Sequence, residues 1–517
     1  MAPDSTKTVC VYRNGDVQWV ARISGSARQK PSSIATDSSG LYVTGLYNSP
    51  QLTVFNKDGT AYVTTLPGIT TEEYTFIVKY STTGYVQWVA RLTNELPKTG
   101  FVTTGSGITP YKIATDSSGV YVAGFLDFGG TVKAYNANGT VSKTLGTLAG
   151  TMSTYEPFIV KYNTSGTVQW MIRLSGTMLG TYSIGYNVTT DSSGVYLTGL
   201  YDAEKFVAYN ANGTAYATTL PSATGGYKDG FIVKYNTSGT VQWVARVSGS
   251  SYNSDGIQTS TTDSSGLYVA GHYSSNPFMA YNSNGTAYGT TLASSNYDVF
   301  IVKYNTSGTV QWLTRLSGAN IEVTGPNCMV SDGFNIYITG LTTSTTMTAY
   351  NAGGTTAYGT IAGGPLFIVK YNSSGMVQWM TRIAGANIQT AVIDEIESSS
   401  SVSVDSSGIY VTGKTNGSII AYNRDGTPYG TSFSGSGFIV KYNTDGYVQW
   451  VNRTSSEISS SATDTSGAYV AGNFINSSFS AYYRDGAAYE TTLTFTTKTA
   501  AGRYGEPATD SFIVKYY

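Results

Sequence analysis

One six-residue pattern recurs seven times along this 517-residue chain and constrains its fold more than any other feature. The pattern is Val-Gln-Trp, then two variable residues and an arginine, and it holds every tryptophan of the chain: Trp19, Trp88, Trp170, Trp243, Trp312, Trp379 and Trp450. Successive tryptophans are 69, 82, 73, 69, 67 and 71 residues apart. Faithful repetition at such a period predicts an array of similar units rather than several unrelated domains.

Each unit contains four short segments that are rich in Val, Ile, Tyr and Phe and are bounded by Gly, Ser and Asn turns, as β-strands are. In the first unit these segments are Ser33–Asp37, Leu41–Gly45, Phe76–Tyr80 and Tyr85–Arg91, which we call strands a, b, c and d. Seven antiparallel sets of four predict an all-β fold, a single seven-bladed β-propeller. Residues 33–517 would supply the seven repeats and residues 1–32 a closing segment, so that 1–517 forms one domain.

Two features make the unit longer than four strands require. A second hairpin lies between strands b and c, as in Thr53–Leu66, and its Asp-Gly or Asn-Gly pairs are typical of hairpin turns. The connection from strand d to the next strand a varies in length and chemistry. Because b–c and d–a connections leave the same end of a blade, the sequence predicts one elaborated, variable face and one uniform face of a–b and c–d turns.

The chain ends offer one strand more than the ring needs. The last unit stops after strand c, Phe512–Tyr516, and Val17–Ile23 is a strand d with no strand a or b before it. Val9–Tyr12 resembles strand c only loosely, so we expect Phe512–Tyr516 to occupy the strand c position of blade seven beside Val17–Ile23. Val9–Tyr12 would then lie outside this blade, where it could pair with a neighbouring molecule.

The repeat resembles a known family of propeller repeats. The patterns Ala-Thr-Asp-Ser-Ser-Gly-x-Tyr-Val-Thr-Gly, at residues 35–45, and Phe-Ile-Val-Lys-Tyr-Asn-x-x-Gly-x-Val-Gln-Trp, at residues 158–170, are similar to the SBBP repeat and recur along nearly the whole chain. The c–d portion also resembles the tryptophan-docking repeats of quinoprotein propellers, but no cofactor site transfers residue by residue. The SBBP resemblance implies a propeller that is often extracellular in bacteria, has counterparts in large DNA viruses and shares no common activity.

Composition argues against several classes of function. The net charge is −1 and charged residues are 12% of the chain, so no basic surface for nucleic acid is expected. No secretory signal or 18-residue apolar run is present, which predicts no membrane insertion and favours a virion, particle or outward-facing location over an ordinary cytoplasmic one. His272 is the only histidine, and the two cysteines have no metal-ligand spacing, so we expect no catalytic triad, metal site or cofactor.

Residues that recur in every blade are expected to hold the blades together, because one active site does not need seven copies. The tryptophans would pack between blades, and the repeated Asp, Lys and Arg would satisfy one another. A charged ring around the channel is the alternative. Candidate binding residues are therefore the irregular charges of the variable face, although charges of this kind more often belong to ordinary solvated loops: Asp202, Glu204, Lys205, Asp394, Glu395 and Glu397.

These observations predict a non-enzymatic structural or interaction propeller, part of a larger assembly such as a virion or other particle surface. Its partners would be proteins, including further copies of itself, because tyrosine-rich surfaces with few charges suit protein interfaces. A glycan-binding lectin is the first alternative, in which the Tyr and Asn of the hairpins would contact sugars. An enzyme with a site at the channel mouth is the second.

Overall fold

The computed structural model is a ring of seven antiparallel sheets around a central channel. It describes residues 14–95, 107–127, 130–146, 155–176, 183–221, 223, 228–249, 255–294, 297–318, 321–322, 325–385, 388, 400–430, 432–475, 478–483, 487–489, 493–494 and 508–517. Within these ranges every regular element is a β-strand, and the predicted seven-bladed propeller with four-stranded blades is confirmed.

The four strands of each blade run outward from the channel in the order a, b, c, d. The a strands are Gln29–Asp37, Ile108–Asp116, Ile184–Asp191, Thr259–Asp263, Met329–Ser331, Ser400–Asp405 and Glu457–Asp464. The b strands are Gly40–Tyr47, Gly119–Asp127, Gly194–Tyr201, Gly266–Tyr273, Asn335–Thr342, Gly408–Lys414 and Gly467–Phe474. The first strand a begins at Gln29, earlier than the predicted Ser33.

Strands c and d complete each blade. The c strands are Tyr74–Tyr80, Tyr155–Tyr162, Asp229–Tyr235, Asp298–Asn305, Leu366–Asn372, Gly437–Tyr442 and Asp510–Tyr516. The d strands are Val86–Glu95, Val168–Arg173, Val241–Gly249, Val310–Ser317, Val377–Gly385, Val448–Thr454 and, for blade seven, Val17–Gly25. Two short pieces, Ser175–Gly176 and Ile321–Glu322, lie after strand d of blades two and four.

The ring closes between the two ends of the chain, as predicted. Val17–Gly25 pairs with Asp510–Tyr516, with Val20 opposite Val514 and Arg22 opposite Phe512. The Gly15 N–H donates to the Tyr517 carbonyl at 2.7 Å, and the Tyr517 N–H donates to the Asp16 carbonyl at 2.9 Å. These two bonds reproduce those of a continuous c–d turn elsewhere in the ring. The segment Val9–Tyr12 lies outside the described residues.

Each inserted hairpin pairs with the blade before its own. The hairpin pairs with strand d of the preceding blade at six joints, for example with Val54 opposite Ile23 and Ala280 opposite Val247. At the joint between blades two and three it pairs with Ser175–Gly176, just after strand d. The hairpin strands are Gln51–Val54 with Leu66–Pro67, Thr131–Tyr135 with Val141–Leu145, Phe206–Val207, Phe278–Ala280, Thr346–Tyr350 with Ala357–Ala362, Ser418–Ala421 with Phe433–Ser434, and Ser478–Phe479 with Leu493–Thr494. The hairpins therefore fasten neighbouring blades from outside the ring.

The tips of these hairpins reach the face of tight turns, although the hairpins start from the opposite, variable face. In six blades the first asparagine of the tip accepts a hydrogen bond at 2.8–3.0 Å from the first N–H of strand d of its own blade, as Asn56 does from Val86. Each of these hairpins thus contacts the outer strand of two successive blades. The sequence predicted the hairpins but not this crossing.

Candidate functional site

Each tryptophan docks on the next blade around the ring. The indole Nε1 donates at 3.0–3.2 Å to a carbonyl of the following c–d turn in six cases, with Thr82, Thr164, Thr237, Thr306, Ser373 and Thr444 as acceptors. The indole also covers the glycine of that turn, whose φ lies between 76° and 85° in these six cases. A Cβ on Gly308 would come within 2.9 Å of the Trp243 ring, so the joint requires glycine for both shape and conformation.

The seventh tryptophan docks at the joint between the chain ends. The Trp450 ring lies against Gly15, where a Cβ would approach it to 3.0 Å. Its Nε1 has no acceptor among the described residues. Trp450 is 1% exposed, so the packing part of the joint is kept where the chain ends meet.

The repeated lysine also belongs to these joints, whereas the repeated aspartate binds within its own blade. Lys79 donates at 3.2 Å to the Thr164 carbonyl that accepts from Trp88, and five other blades repeat this shared acceptor. The aspartate at the end of strand a, or just after it in blade five, accepts from the tyrosine hydroxyl of strand b of the same blade at 2.7–3.0 Å in all seven blades. A shallow depression of about 540 Å³ between blades four and five is lined by the same kinds of residue, among them Lys303 and Trp312.

The repeated arginine packs on the hairpin of the following blade. In six joints its guanidinium carbon lies 4.3–4.5 Å from the centre of a hairpin aromatic ring, as Arg22 does over Phe55. Such cation–π contacts stabilise by about 0.5–2 kcal/mol. Acidic residues near the start of strand c add ion pairs to Arg173, Arg246 and Arg315, and these acids are Glu156, Asp229 and Asp298.

These acids were missed at the sequence level, although a signal existed. An acidic residue stands two positions before the first phenylalanine of strand c in four blades: Glu156, Asp229, Asp298 and Asp510. The acidic side chain lies near the arginine because strands c and d pair with Phe231, two residues after Asp229, opposite Arg246. The repeated charges were predicted to pair with one another. The acidic partners of the arginine, however, occur in only some of the blades.

A segment of blade five crosses the central channel. The Pro326 carbonyl accepts from Asn187 Nδ2 of blade three at 2.6 Å and from Thr259 Oγ1 of blade four at 3.4 Å. Asn327 Oδ1 accepts from Ser33 Oγ of blade one at 3.3 Å and from Lys112 Nζ of blade two at 2.6 Å. The Asn327 carbonyl accepts from the Val402 N–H of blade six at 2.8 Å. We call Pro326 and Asn327 the channel plug. Their contacts with five other blades place the plug at the centre of the ring.

Lys112 is the cation that faces the plug. Burial lowers the pKa of Lys112 to about 8, so part of the amine is uncharged in mildly alkaline solution. The other blades carry Ser, Asn, Thr or Cys at the equivalent position of strand a: Ser33, Asn187, Thr259, Cys328, Ser401 and Ser460. A single lysine at this position does not form a charged ring around the channel, which was the alternative interpretation of the repeated charges. The residues Gly325-Pro326-Asn327 stand where other blades begin strand a, and this departure from the repeat is the sequence feature that indicates the plug.

The structure places the predicted binding residues unevenly. Glu204 and Lys205 are exposed at the bend that follows strand b of blade three, and Asp202 beside them is half-buried. Asp394, Glu395 and Glu397 lie outside the described residues. Among the described residues no three His, Cys, Asp or Glu side chains could hold a metal ion. In the same part of the chain no helix is long and apolar enough to cross a membrane.

On the variable face, burial shifts the pKa values of His272 and of two aspartates. Burial lowers the pKa of His272 to about 4, and its Nδ1 lies 2.9 Å from Gln258 Nε2, so the ring is uncharged at neutral pH. Asp255 lies in the connection after blade three, is 1% exposed and accepts from Ser275 Oγ and from the Ser274 N–H at 3.3 Å. Burial raises the pKa of Asp255 to about 6, and it does the same for Asp298.

The raised pKa of Asp255 predicts a stability that falls as pH rises. The folded protein binds this proton more tightly than the unfolded chain, in which the pKa is about 3.9, so the carboxyl stabilises below pH ~4 and loses that contribution as pH rises through about 6. Relative to Asp255→Asn, we expect wild type to lose about 2 kcal/mol between pH 4 and pH 7. Denaturant unfolding of both proteins across this range measures the difference. A constant difference would show that Asp255 is not a titrating buried group.

Comparison with known proteins adds a viral relative to this geometry. No family model matches the chain. Over 437 residues, 75% of its length, the chain is 25% identical to an uncharacterized WD repeat-containing protein of Acanthamoeba polyphaga mimivirus. The chain is a seven-bladed propeller with a WD repeat-containing relative. It spans only 30% of that relative's length. The narrower resemblance to the SBBP repeat stays a prediction.

Solved propellers resemble the chain at low similarity. The Dos1 propeller is 7% identical, with 96% of this chain and 94% of that chain covered and a TM-score of 0.38. BamB from Moraxella catarrhalis is 10% identical, with 97% of this chain and 100% of that chain covered and a TM-score of 0.34. At these scores, the fold assignment rests on the strand pairing of the chain itself.

Proposed function

We propose that this chain is a non-enzymatic interaction propeller that forms part of a larger assembly, such as a virion or another particle surface. The observation that carries the proposal is the use of the repeated residues. Trp, Lys and Arg of the repeat contact neighbouring blades, as Trp243 does with Thr306, and the repeated Asp binds within its own blade, as Asp37 does with Tyr42. What distinguishes one blade from another is the set of irregular connections, and these are the surfaces left for partners.

Two further observations support an assembly role. The channel plug fills the centre of the ring, where Asn327 is 2% exposed, so its level of the channel offers little room for a substrate. The relative that is similar over 437 residues is a WD repeat-containing protein of Acanthamoeba polyphaga mimivirus. Binding through Asp202, Glu204, Lys205, Asp394, Glu395 and Glu397 remains part of this proposal.

The glycan-binding alternative has weaker support. Its stacking surfaces would be the hairpin aromatic rings, but arginine guanidinium groups cover six of them, as Arg246 covers Tyr281. The second tyrosine of the hairpin donates its hydroxyl to a strand d carbonyl, as Tyr216 does to Gln242 at 3.0 Å. A glycan array probed with the wild-type chain tests this alternative, and specific, saturable binding would favour it over the assembly role.

The assembly role is tested by retention on particles. We expect the chain to co-sediment with particles from its source and to lose this retention when irregular charges are neutralised by Glu204→Gln, Lys205→Gln, Asp394→Asn, Glu395→Gln and Glu397→Gln. Because the first two side chains are exposed, the melting temperature should change little. The matched control is Asp445→Ser, which restores the Asn-Thr-Ser-Gly turn on the opposite face. Equal loss in both variants, or wild-type chain found only as free protein, would contradict the proposal.

A further inference from the structure

The outer edges of the seven sheets differ in length. Among the residues that the structure describes, the returning hairpin strand of most blades is two residues or a single bridge, as at Leu66–Pro67. Two returning strands are longer, Val141–Leu145 on the sheet of blade one and Ala357–Ala362 on the sheet of blade four. An unpaired strand edge of this length presents backbone donors and acceptors that another strand can bind.

Only one of the two long edges lacks charge. Val141–Leu145 contains Lys143, and Lys133 on the adjoining hairpin strand pairs with Glu95 at 2.7 Å. Charged side chains of this kind discourage pairing at strand edges. Ala357–Ala362 reads Ala-Tyr-Gly-Thr-Ile-Ala, with no charge and no proline. It is the last strand of its sheet, and no described residue pairs with its outer side.

The hydrogen-bond pattern shows which backbone groups face outward. The Gly363 N–H donates to the Thr345 carbonyl at 2.6 Å, and the same register places Ile361 opposite Met347. Bonded and non-bonded pairs alternate along an antiparallel ladder, so Ile361 bonds inward. Thr360 and Ala362 therefore direct their N–H and C=O groups away from the sheet.

We propose that Ala357–Ala362 is a self-association edge that pairs antiparallel with the same strand of a second copy of this chain. A two-fold axis at Ile361 places Thr360 of each copy opposite Ala362 of the other, which forms four backbone hydrogen bonds. The two Ile361 side chains then meet in a non-hydrogen-bonded pair, where side chains lie closest. No charged residue occurs in either strand, so identical copies bring no like charges together.

This inference deepens the proposed function, since self-association is one way to build an assembly. Only residues 360–362 of each strand pair about this axis, and they bury much less than the ~1,200 Å² of a stable interface, so the dimer should be weak and concentration-dependent. The partner is a second copy rather than an unrelated strand because two identical edges pair all of the outward N–H and C=O groups of Thr360 and Ala362 about the two-fold axis.

Sedimentation of the purified full chain over a wide concentration range tests the edge. We expect wild type to form dimers at the highest concentrations, and Thr360→Pro to remain monomeric because it removes an outward N–H and leaves the inward ladder bonds intact. Thr360→Lys is a second variant that places like charges together across the axis. The matched control is Thr144→Pro, at the equivalent position of the other long edge, which should sediment as wild type does.

The outcomes separate this inference from the proposed function. A wild-type chain that is monomeric at every concentration, or a dimer that persists in both Thr360 variants while each keeps its wild-type melting temperature, would overturn the self-association edge. A monomeric chain that still binds particles would overturn the edge alone. A dimer that never binds particles would overturn the assembly role alone.

Discussion

Deleting residues 512–517 is expected to open the ring and unfold most of the protein. Phe512, Ile513, Val514 and Tyr516 are each 0% exposed in the core between blades six, seven and one. Burying four such side chains contributes roughly 6–12 kcal/mol, which is comparable with the whole stability of a typical folded protein. Their loss also removes most of strand c, which lies between strands b and d of blade seven and pairs with both.

Near-ultraviolet circular dichroism and limited proteolysis measure this loss. The shortened chain should lack fixed tertiary signals and be cleaved rapidly at many sites, whereas wild type resists. The matched control removes residues 1–12, which precede the described residues, and should leave a folded protein with a wild-type melting curve. If the first deletion folds normally and the second does not, strand c of blade seven would have to come from Val9–Tyr12.

Replacing Trp243 with alanine should cost about 3–5 kcal/mol, as for other buried large-to-small changes. The indole is 7% exposed and lies between Tyr196 and Tyr304, with ring centroids 5.9 and 6.4 Å away. Alanine leaves a cavity against Gly308 and a Thr306 carbonyl without its indole donor. For a chain of this length, that loss corresponds to a fall in melting temperature of roughly 3–5 °C if unfolding is two-state.

Equivalent variants at the other joints supply the control for this prediction. Trp88→Ala, Trp170→Ala and Trp312→Ala remove the same packing and the same kind of hydrogen bond, so their melting temperatures should fall by similar amounts. Calorimetry of the set measures the effect. An unchanged melting temperature for Trp243→Ala would remove the packing role proposed for the tryptophans.

Features that recur or follow from strand composition could be predicted from the sequence. The spacing of Val-Gln-Trp gave the number of blades, and the closer match of Phe512–Tyr516 to the other c strands gave the closure. The pairing of each hairpin with the preceding blade could not be predicted, because alternation within Thr53–Leu66 does not specify which sheet lies beside it. The same holds for the shared acceptor of Lys79 and Trp88, which depends on how two blades meet.

Departures from the repeat were harder to interpret than the repeat itself. Pro326 and Asn327 interrupt strand a of blade five, yet only the folded ring shows that they meet Lys112 and Ser33 from other blades. The candidate site is the least predictable part. Glu204 and Lys205 are exposed, but exposure alone does not identify a partner.

The central claim is that the chain forms one closed ring whose last joint is made by its first and last described strands. One measurement tests it directly: Val20→Cys and Val514→Cys are introduced together, native Cys10 is kept, and disulfides are mapped by mass spectrometry after mild oxidation. Facing residues of antiparallel strands lie 4.5–5.5 Å apart between Cα atoms, roughly within disulfide range. We predict a disulfide between positions 20 and 514. A disulfide between positions 20 and 10 instead would contradict this closure.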